Sequence, residues 1–228
     1  MLNRVNWKPY EYLFAEKDDY QIAEAVGVSE DAVRLKRRRL ENGPNGFIGL
    51  TNLYFDLETT GLSAIMGRLL CGSFCDSWGN VTTFRVDKTS RVNMIDDREI
   101  AVTLRDYIEN NGDILVGWNS KLFDVPFLNA RLLKWGERPL RKDLKHIDLM
   151  YYAGGQFNRI GSRKLVNVQK FSPDVDVSKT DVDWDTWALA GTGSVEALNY
   201  VVEHCEADIL VLRKVFQQLK PHVTIIHR

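Results

Sequence analysis

Apolar and polar positions along the chain fall into strand-like and helix-like periods that change at identifiable turn residues. Leu53-Tyr54-Phe55-Asp56-Leu57 is a short, nearly continuous apolar run and predicts a buried strand. Arg68 to Cys75 and Val81 to Val86 predict two more, with a Gly79-Asn80 turn between them, so the first part of the body reads as an antiparallel meander. A helix from about Asp96 to Asn110, a strand over Ile114 to Trp118 and an amphipathic helix from Phe123 to Trp135 come next. Ile147-Asp148-Leu149 predicts a short strand. A long final helix runs from Ser194 to about Leu219, with Val195, Leu198, Val202, Cys205, Ile209, Leu212 and Phe216 at helical spacing on one side. This order gives an α/β protein with a mixed sheet flanked by helices.

A different pattern precedes this body. Trp7 to Phe14 and Asp19 to Val26 read as short helices, and Ser29 is placed to cap a third that runs through Glu30 to Leu40. Glu41-Asn42-Gly43-Pro44-Asn45-Gly46 then consists almost entirely of turn formers. The organisation expected is a three-helix module over 1–42, a linker over 43–47 and the α/β domain over 48–228.

Composition narrows the class. In 228 residues the apolar, aromatic and charged shares lie near ordinary usage. No apolar run is long enough to cross a bilayer, and the first residues lack the apolar stretch of a signal peptide, so no membrane association and an intracellular, non-secreted location are expected. The three cysteines form no even framework, and Cys71 and Cys75 lie in an apolar strand, where core packing is the expectation. A formal charge of -1 gives the whole molecule no attraction for nucleic acid, so such binding has to come from local patches and bound cations.

Candidate chemistry begins at the end of the first strand. Asp56 and Glu58 are two residues apart, so both carboxylates project from one face and repel each other unless a cation or proton intervenes. Phe55-Asp56-Leu57-Glu58-Thr59-Thr60-Gly61-Leu62 resembles the first motif of the DEDD superfamily of 3′-to-5′ exonucleases, which has a ribonuclease H-like fold. Asn119-Ser120-Lys121-Leu122-Phe123-Asp124-Val125-Pro126 resembles the second motif as it occurs in the proofreading domains of family-B DNA polymerases. His204-Cys205-Glu206-Ala207-Asp208 resembles the third, although here a histidine stands at the spacing where the tyrosine branch carries tyrosine. The likeness covers about residues 50 to 218, Ile147-Asp148-Leu149 included.

What the resemblance implies is two-metal phosphodiester hydrolysis, with Mg²⁺ or Mn²⁺ ions roughly 4 Å apart. Asp56 then bridges both ions, Glu58 and Asp208 complete one site, and Asp124 supports the other. His204 takes the part of general base or water-orienting group. On a continuous helix, residues four apart differ by about 40° in direction, so His204 shares the face of Asp208. Thr59, Leu62, Asn119 and Phe123 are the candidates for holding the strand end. Leu62 and Phe123 would pack against terminal bases.

Asp19 to Val33 resembles a helix-turn-helix, with Ala23 in the first helix and Gly27 in the turn. The helix that follows carries Arg34, Arg37 and Arg38 among other cations, a surface suited to phosphates. The functional expectation is therefore a DNA 3′-to-5′ exonuclease that binds nucleic acid through both parts, with a polymerase or other replication protein as a partner. Its alternatives are a 3′-to-5′ exoribonuclease and a non-catalytic nucleic-acid-binding protein on a nuclease scaffold.

Overall fold

A computed structural model describes residues 7–10, 12–42, 51–89, 96–154, 160–172 and 183–223. The chain divides into two compact units, Met1–Leu50 and Thr51–Arg228. The linker expected over 43–47 and the side chain of Arg38 lie outside the described residues.

In the first unit a 3₁₀ turn (Lys8–Tyr10) and the single-turn α1 (Leu13–Glu16) stand where one short helix was expected. α2 (Asp19–Val26) starts at a reciprocal capping box between Asp18 and Gln21 and stops at Gly27 in the left-handed region. α3 (Glu30–Asn42) begins beside Ser29, whose hydroxyl accepts the Ala32 N–H at 3.3 Å. It runs through Glu41 and Asn42, two residues further than the turn-forming composition implied. Leu13, Ile22, Ala23 and Val33 make a small core of their own.

The second unit is built on a five-stranded mixed sheet of order β3-β2-β1-β4-β5. β1 (Asn52–Thr59), β2 (Leu69–Cys75) and β3 (Val81–Arg85) form the expected antiparallel meander, while β4 (Ile114–Gly117) and β5 (Lys145–Asp148) add in parallel on the other side of β1. Val86 is the first residue of a one-turn α4 (Val86–Thr89), not the end of β3. α5 (Arg98–Asn111), α6 (Asp124–Lys134), α7 (Met150–Gly154), α8 (Leu165–Phe171), α9 (Trp184–Thr192) and α10 (Val195–Leu219) complete the unit. Ser194 caps α10 by accepting the Ala197 N–H at 3.2 Å. α10 buries Leu198, Val202, Cys205, Ile209, Leu212 and Phe216 against the sheet, but Val195, at the margin of that stripe in the first turn, is 52% exposed. Cys71 and Cys75 are fully buried on β2.

One polar node fixes the wall around the sheet's end. Asp97 accepts both sides of the Arg131 guanidinium at 2.7 Å, the Leu69 N–H at 2.9 Å and the Trp135 indole N–H at 2.8 Å. Arg131 also donates to the Ala64 carbonyl at 2.8 Å. Both side chains are wholly buried, so the pair ties α6 to the start of β2 and to the loop between β1 and β2. Burial pushes the Asp97 carboxyl up, but these donors outweigh it and hold the group below the usual carboxylate range.

Candidate active site

β1 is the central strand, and a two-residue period puts Asp56 and Glu58 on one of its faces while Phe55 and Leu57 fill the core on the other. The pairing with β2 shifts between Glu58 and Thr59, so the strand breaks register just past the second acid. Beyond the break, Thr59 donates its hydroxyl to the Gly61 carbonyl at 2.8 Å, and the Thr60 hydroxyl accepts the Arg68 N–H at 3.0 Å. The loop after the acids is thereby closed on itself.

Asp124 enters from the first position of α6, where a carboxylate is compatible with the helix dipole. It is buried and accepts the Leu57 backbone N–H at 3.1 Å, which locks the start of α6 onto β1 between the two strand acids. The loop before it is shaped by Asp148 at the end of β5. That carboxylate accepts the N–H groups of Asn119 at 2.9 Å, Lys121 at 3.0 Å and Met150 at 3.1 Å, and Asn119 adopts a left-handed φ of 59°. Gly117 makes the tight approach possible, because a Cβ there would collide with Ser120 and Phe55.

α10 contributes from the other side. Cys205 donates its thiol toward Asp56, 3.5 Å from the carbonyl and 3.6 Å from Oδ2. Ligand atoms of Asp56, Glu58 and Cys205 lie within 4.8 Å of one another. His204 and Asp208 share a face of the helix, with His204 Nε2 3.9 Å from Asp208 Oδ2. Glu203 is exposed, as the helical geometry predicts.

Electrostatics joins the four acids. Burial pushes the Asp56 carboxyl well above its ordinary value, and the negative fields of Asp124, Glu58 and Asp208 push it further. Burial, helped by the negative field of Asp148, carries Asp124 to about 7, against the Leu57 N–H, which favours its charge. A buried anionic cluster of this kind is short of positive charge. Hard divalent cations such as Mg²⁺ or Mn²⁺ take oxygen ligands from carboxylates, so the donor set fits a metal centre.

The sequence pattern did not reveal α9 or its tryptophans. Trp187 donates its indole N–H to Glu58 Oε2 at 2.9 Å and presents its ring edge-on to His204, 5.5 Å between centroids. α9 is held against the loop by Arg68, which donates to the Gly191 carbonyl at 2.7 Å, and a Cβ at Gly191 would stand 2.8 Å from the Thr60 methyl. The result is a cavity of 320 Å³ beside Glu58, with Leu62, Phe123, Trp184 and Trp187 among its walls. Leu62 and Phe123 therefore line it as candidate base platforms, Thr59 lines it with its hydroxyl turned into the loop, and Asn119 belongs to the Asp148-bound turn.

The cationic residues of α3 are placed differently. Arg37 lies over the Phe14 ring and donates to Asp19 at 2.6 Å and to the carbonyls of Phe14 and Lys17 at 2.7 and 2.6 Å. These contacts make it a brace of the small unit, with its side chain 25% exposed. Arg34 pairs with Glu30 at 2.6 Å and Asp31 at 3.4 Å, both exposed contacts.

A family model described as the RNase H superfamily matches residues 53–220, most of the chain. The chain belongs to the RNase H superfamily. Among solved structures, the family B DNA polymerase of the hyperthermophilic archaeon Pyrobaculum calidifontis is similar with a TM-score of 0.58 and 19% identity. The likeness covers 78% of this chain and 26% of the polymerase chain, and at that identity it speaks for the fold. No curated protein matches. Superfamily membership together with the acidic centre supports a nuclease acting on nucleic acid and assisted by divalent metal. No helix among the described residues is long and apolar enough to cross a membrane.

Proposed function

We propose that this RNase H superfamily member is a metal-dependent 3′-to-5′ exonuclease acting on DNA. The observation that carries the reading is the convergence of acids from three separate segments: Asp56 feels Glu58 beside it on β1, Asp124 from α6 and Asp208 from α10. Such a cluster destabilises a protein that gains nothing from it. Asp56, Glu58, Asp124 and Asp208 are the proposed ligands of two divalent ions, which when bound activate water and stabilise the leaving oxygen.

The remaining roles fall to the chain itself. His204, fixed between the Trp187 ring and Asp208, orients the attacking water and takes its proton. Leu62, Phe123 and Trp184 give the terminal base apolar surfaces to stack on, which suits an enzyme indifferent to sequence. DNA is preferred as substrate because the structure of like fold belongs to a DNA polymerase, and a polymerase or another replication protein would supply the same strand ends. Arg34 on the first unit is proposed as an auxiliary phosphate contact, since exposed ion pairs like its own contribute little and a phosphate can replace them.

Parallel digestion of end-labelled single-stranded DNA and RNA with Mg²⁺ or Mn²⁺ tests the proposal. Mononucleotides should be released from the 3′ end of DNA, and Asp56→Ala should abolish release while the metal-free melting temperature holds or rises. Preference for RNA would move the assignment to an exoribonuclease, and the absence of hydrolysis on either would end it.

A further inference from the structure

On the side of the sheet away from the acids lies a concavity that the exonuclease reading does not use. It has a volume of 420 Å³ and lies between α6 and the loop that leads into β5, with Lys121, Val125, Leu140, Arg141, Lys142 and Leu144 among its walls. His146 on β5 also lines it and packs beside Phe55, 6.1 Å between ring centroids. Phe55 points to the opposite face of β1 from Asp56 and Glu58. The concavity shares no lining residue with the cavity beside Glu58, so filling one leaves the other open.

Its lining has two parts. Leu140 and Leu144 are buried and Val125 is half-buried, which makes an aliphatic floor without Phe, Tyr or Trp. Lys121, Arg141 and Lys142 add three positive charges, and no carboxylate lines the space. These cations are not spent elsewhere. Arg85, Arg98, Arg105, Arg131 and Arg138 are all paired with carboxylates at 3.0 Å or less. Among the described residues, Lys121 and Lys142 have no such pair, and Arg141 has only Asp143, 3.8 Å away and 83% exposed. Two further acids in the neighbourhood are already engaged. Asp148 accepts the backbone N–H groups of Asn119, Lys121 and Met150, and Glu109 accepts from the Arg138 guanidinium and the Arg141 N–H. In a chain whose formal charge is -1, this surplus is a local feature and not a by-product of general basicity.

An aliphatic floor beside available cations suits an acidic chain that carries apolar side chains. A phosphodiester backbone would use the cations but leave the floor idle, and bases stack on aromatic faces, which this floor lacks. We infer that the concavity of Lys121, Arg141 and Lys142 is the docking site for an acidic peptide segment of a partner protein, with aliphatic side chains on Val125, Leu140 and Leu144 and carboxylates on the three cations. Charges at such a rim steer and orient a partner, while the buried apolar contact holds it. The inference is independent of the exonuclease reading. Its place on the far side of the sheet lets a partner hold this chain while the acidic centre stays open.

The test uses the full chain and a short dye-labelled peptide of aspartates flanking two leucines, with binding followed by fluorescence anisotropy. The comparison probes are the same peptide with serines in place of the leucines, and single-stranded DNA without metal. The leucine peptide should bind saturably, more tightly than the serine peptide, and more weakly as salt is added. Arg141→Glu/Lys142→Glu, at two exposed positions, should weaken that binding on the order of tenfold or more. Its melting temperature and its hydrolysis of DNA with Mg²⁺ should match the wild type, and Lys142→Arg should bind the peptide as the wild type does. No saturable binding of the leucine peptide, or equal affinity in the wild type and the double variant, would overturn the docking site. So would equal binding of the two peptides, since the floor would then contribute nothing. A double variant that lost affinity for DNA and not for the peptide would make the concavity a nucleic-acid contact and end the proposal. Peptide binding as expected by a wild type that hydrolyses no nucleic acid would leave the docking site standing and sink the exonuclease reading alone.

Discussion

At the scale of single residues, the indole N–H of Trp187 makes the most specific claim. A ligating carboxylate oriented by a hydrogen bond typically loses about 10–100-fold in metal affinity when that bond is removed. Trp187→Phe keeps a ring beside His204 but removes the donor to Glu58. Calorimetric titration with Mn²⁺ should show weakened binding of that size, and unchanged or tighter binding would leave the indole a mere wall. His204→Ala should cost on the order of a hundredfold in turnover, as for a lost general base, with metal affinity largely kept. His204→Tyr should regain part of it, because tyrosine suits this helical spacing. Wild-type turnover in the alanine variant would make the histidine a bystander. The acids and His204 could be read from sequence because their spacing repeats known motifs. Trp187 could not, because what distinguishes it is a partner 129 residues away.

At the scale of elements, the central strands were legible as short apolar runs buried on both faces, and the long helices by a stripe buried on one. α10 shows a full apolar stripe and was placed to within a residue. α9 buries only Ala190, so it has no period to detect, and its sequence gives two exposed apolar residues, Trp184 and Leu189, that resemble a loop as much as a helix. The Asp97–Arg131 node was equally silent, since charges are read as surface until their partners are known. It should be a strong point of the fold. Removing one member of a buried pair costs about 3–5 kcal/mol because the other is left uncompensated. Arg131→Met should lose that much in urea unfolding and should also slacken the loop that carries Leu62. Pairing it with Asp97→Leu should recover most of the loss, and a double variant no better than the single would show that the damage is one of packing.

At the scale of the whole molecule, the acidic centre makes stability depend on pH in a defined direction. Asp124 ionises near 4 when unfolded but at about 7 in the fold, so between those values the folded state binds the extra proton. Its contribution is complete below about pH 4 and is lost as pH rises through 7. Asp56 acts in the same sense. Asp97 acts in the opposite sense, but only as pH falls below the usual carboxylate range. The metal-free protein should therefore melt at a higher temperature at about pH 5 than at about pH 7.5, and Asp124→Asn should flatten the trend. Saturating Mg²⁺ should reverse it, because bound metal requires the ionised acids. A metal-free melting curve indifferent to pH over that interval would contradict the burial of these groups. The same centre also has a history in time. Asp124 meets Leu57 across 67 residues of chain and Cys205 meets Asp56 across 149, so the fourth acid, Asp208, joins the other three only when the long last helix has docked. Synthesis proceeds from the amino terminus at about 5–20 residues per second, and α10 is made last of the sheet's partners. The centre therefore gathers its full set of acids only after α10 has been made and has packed on the sheet.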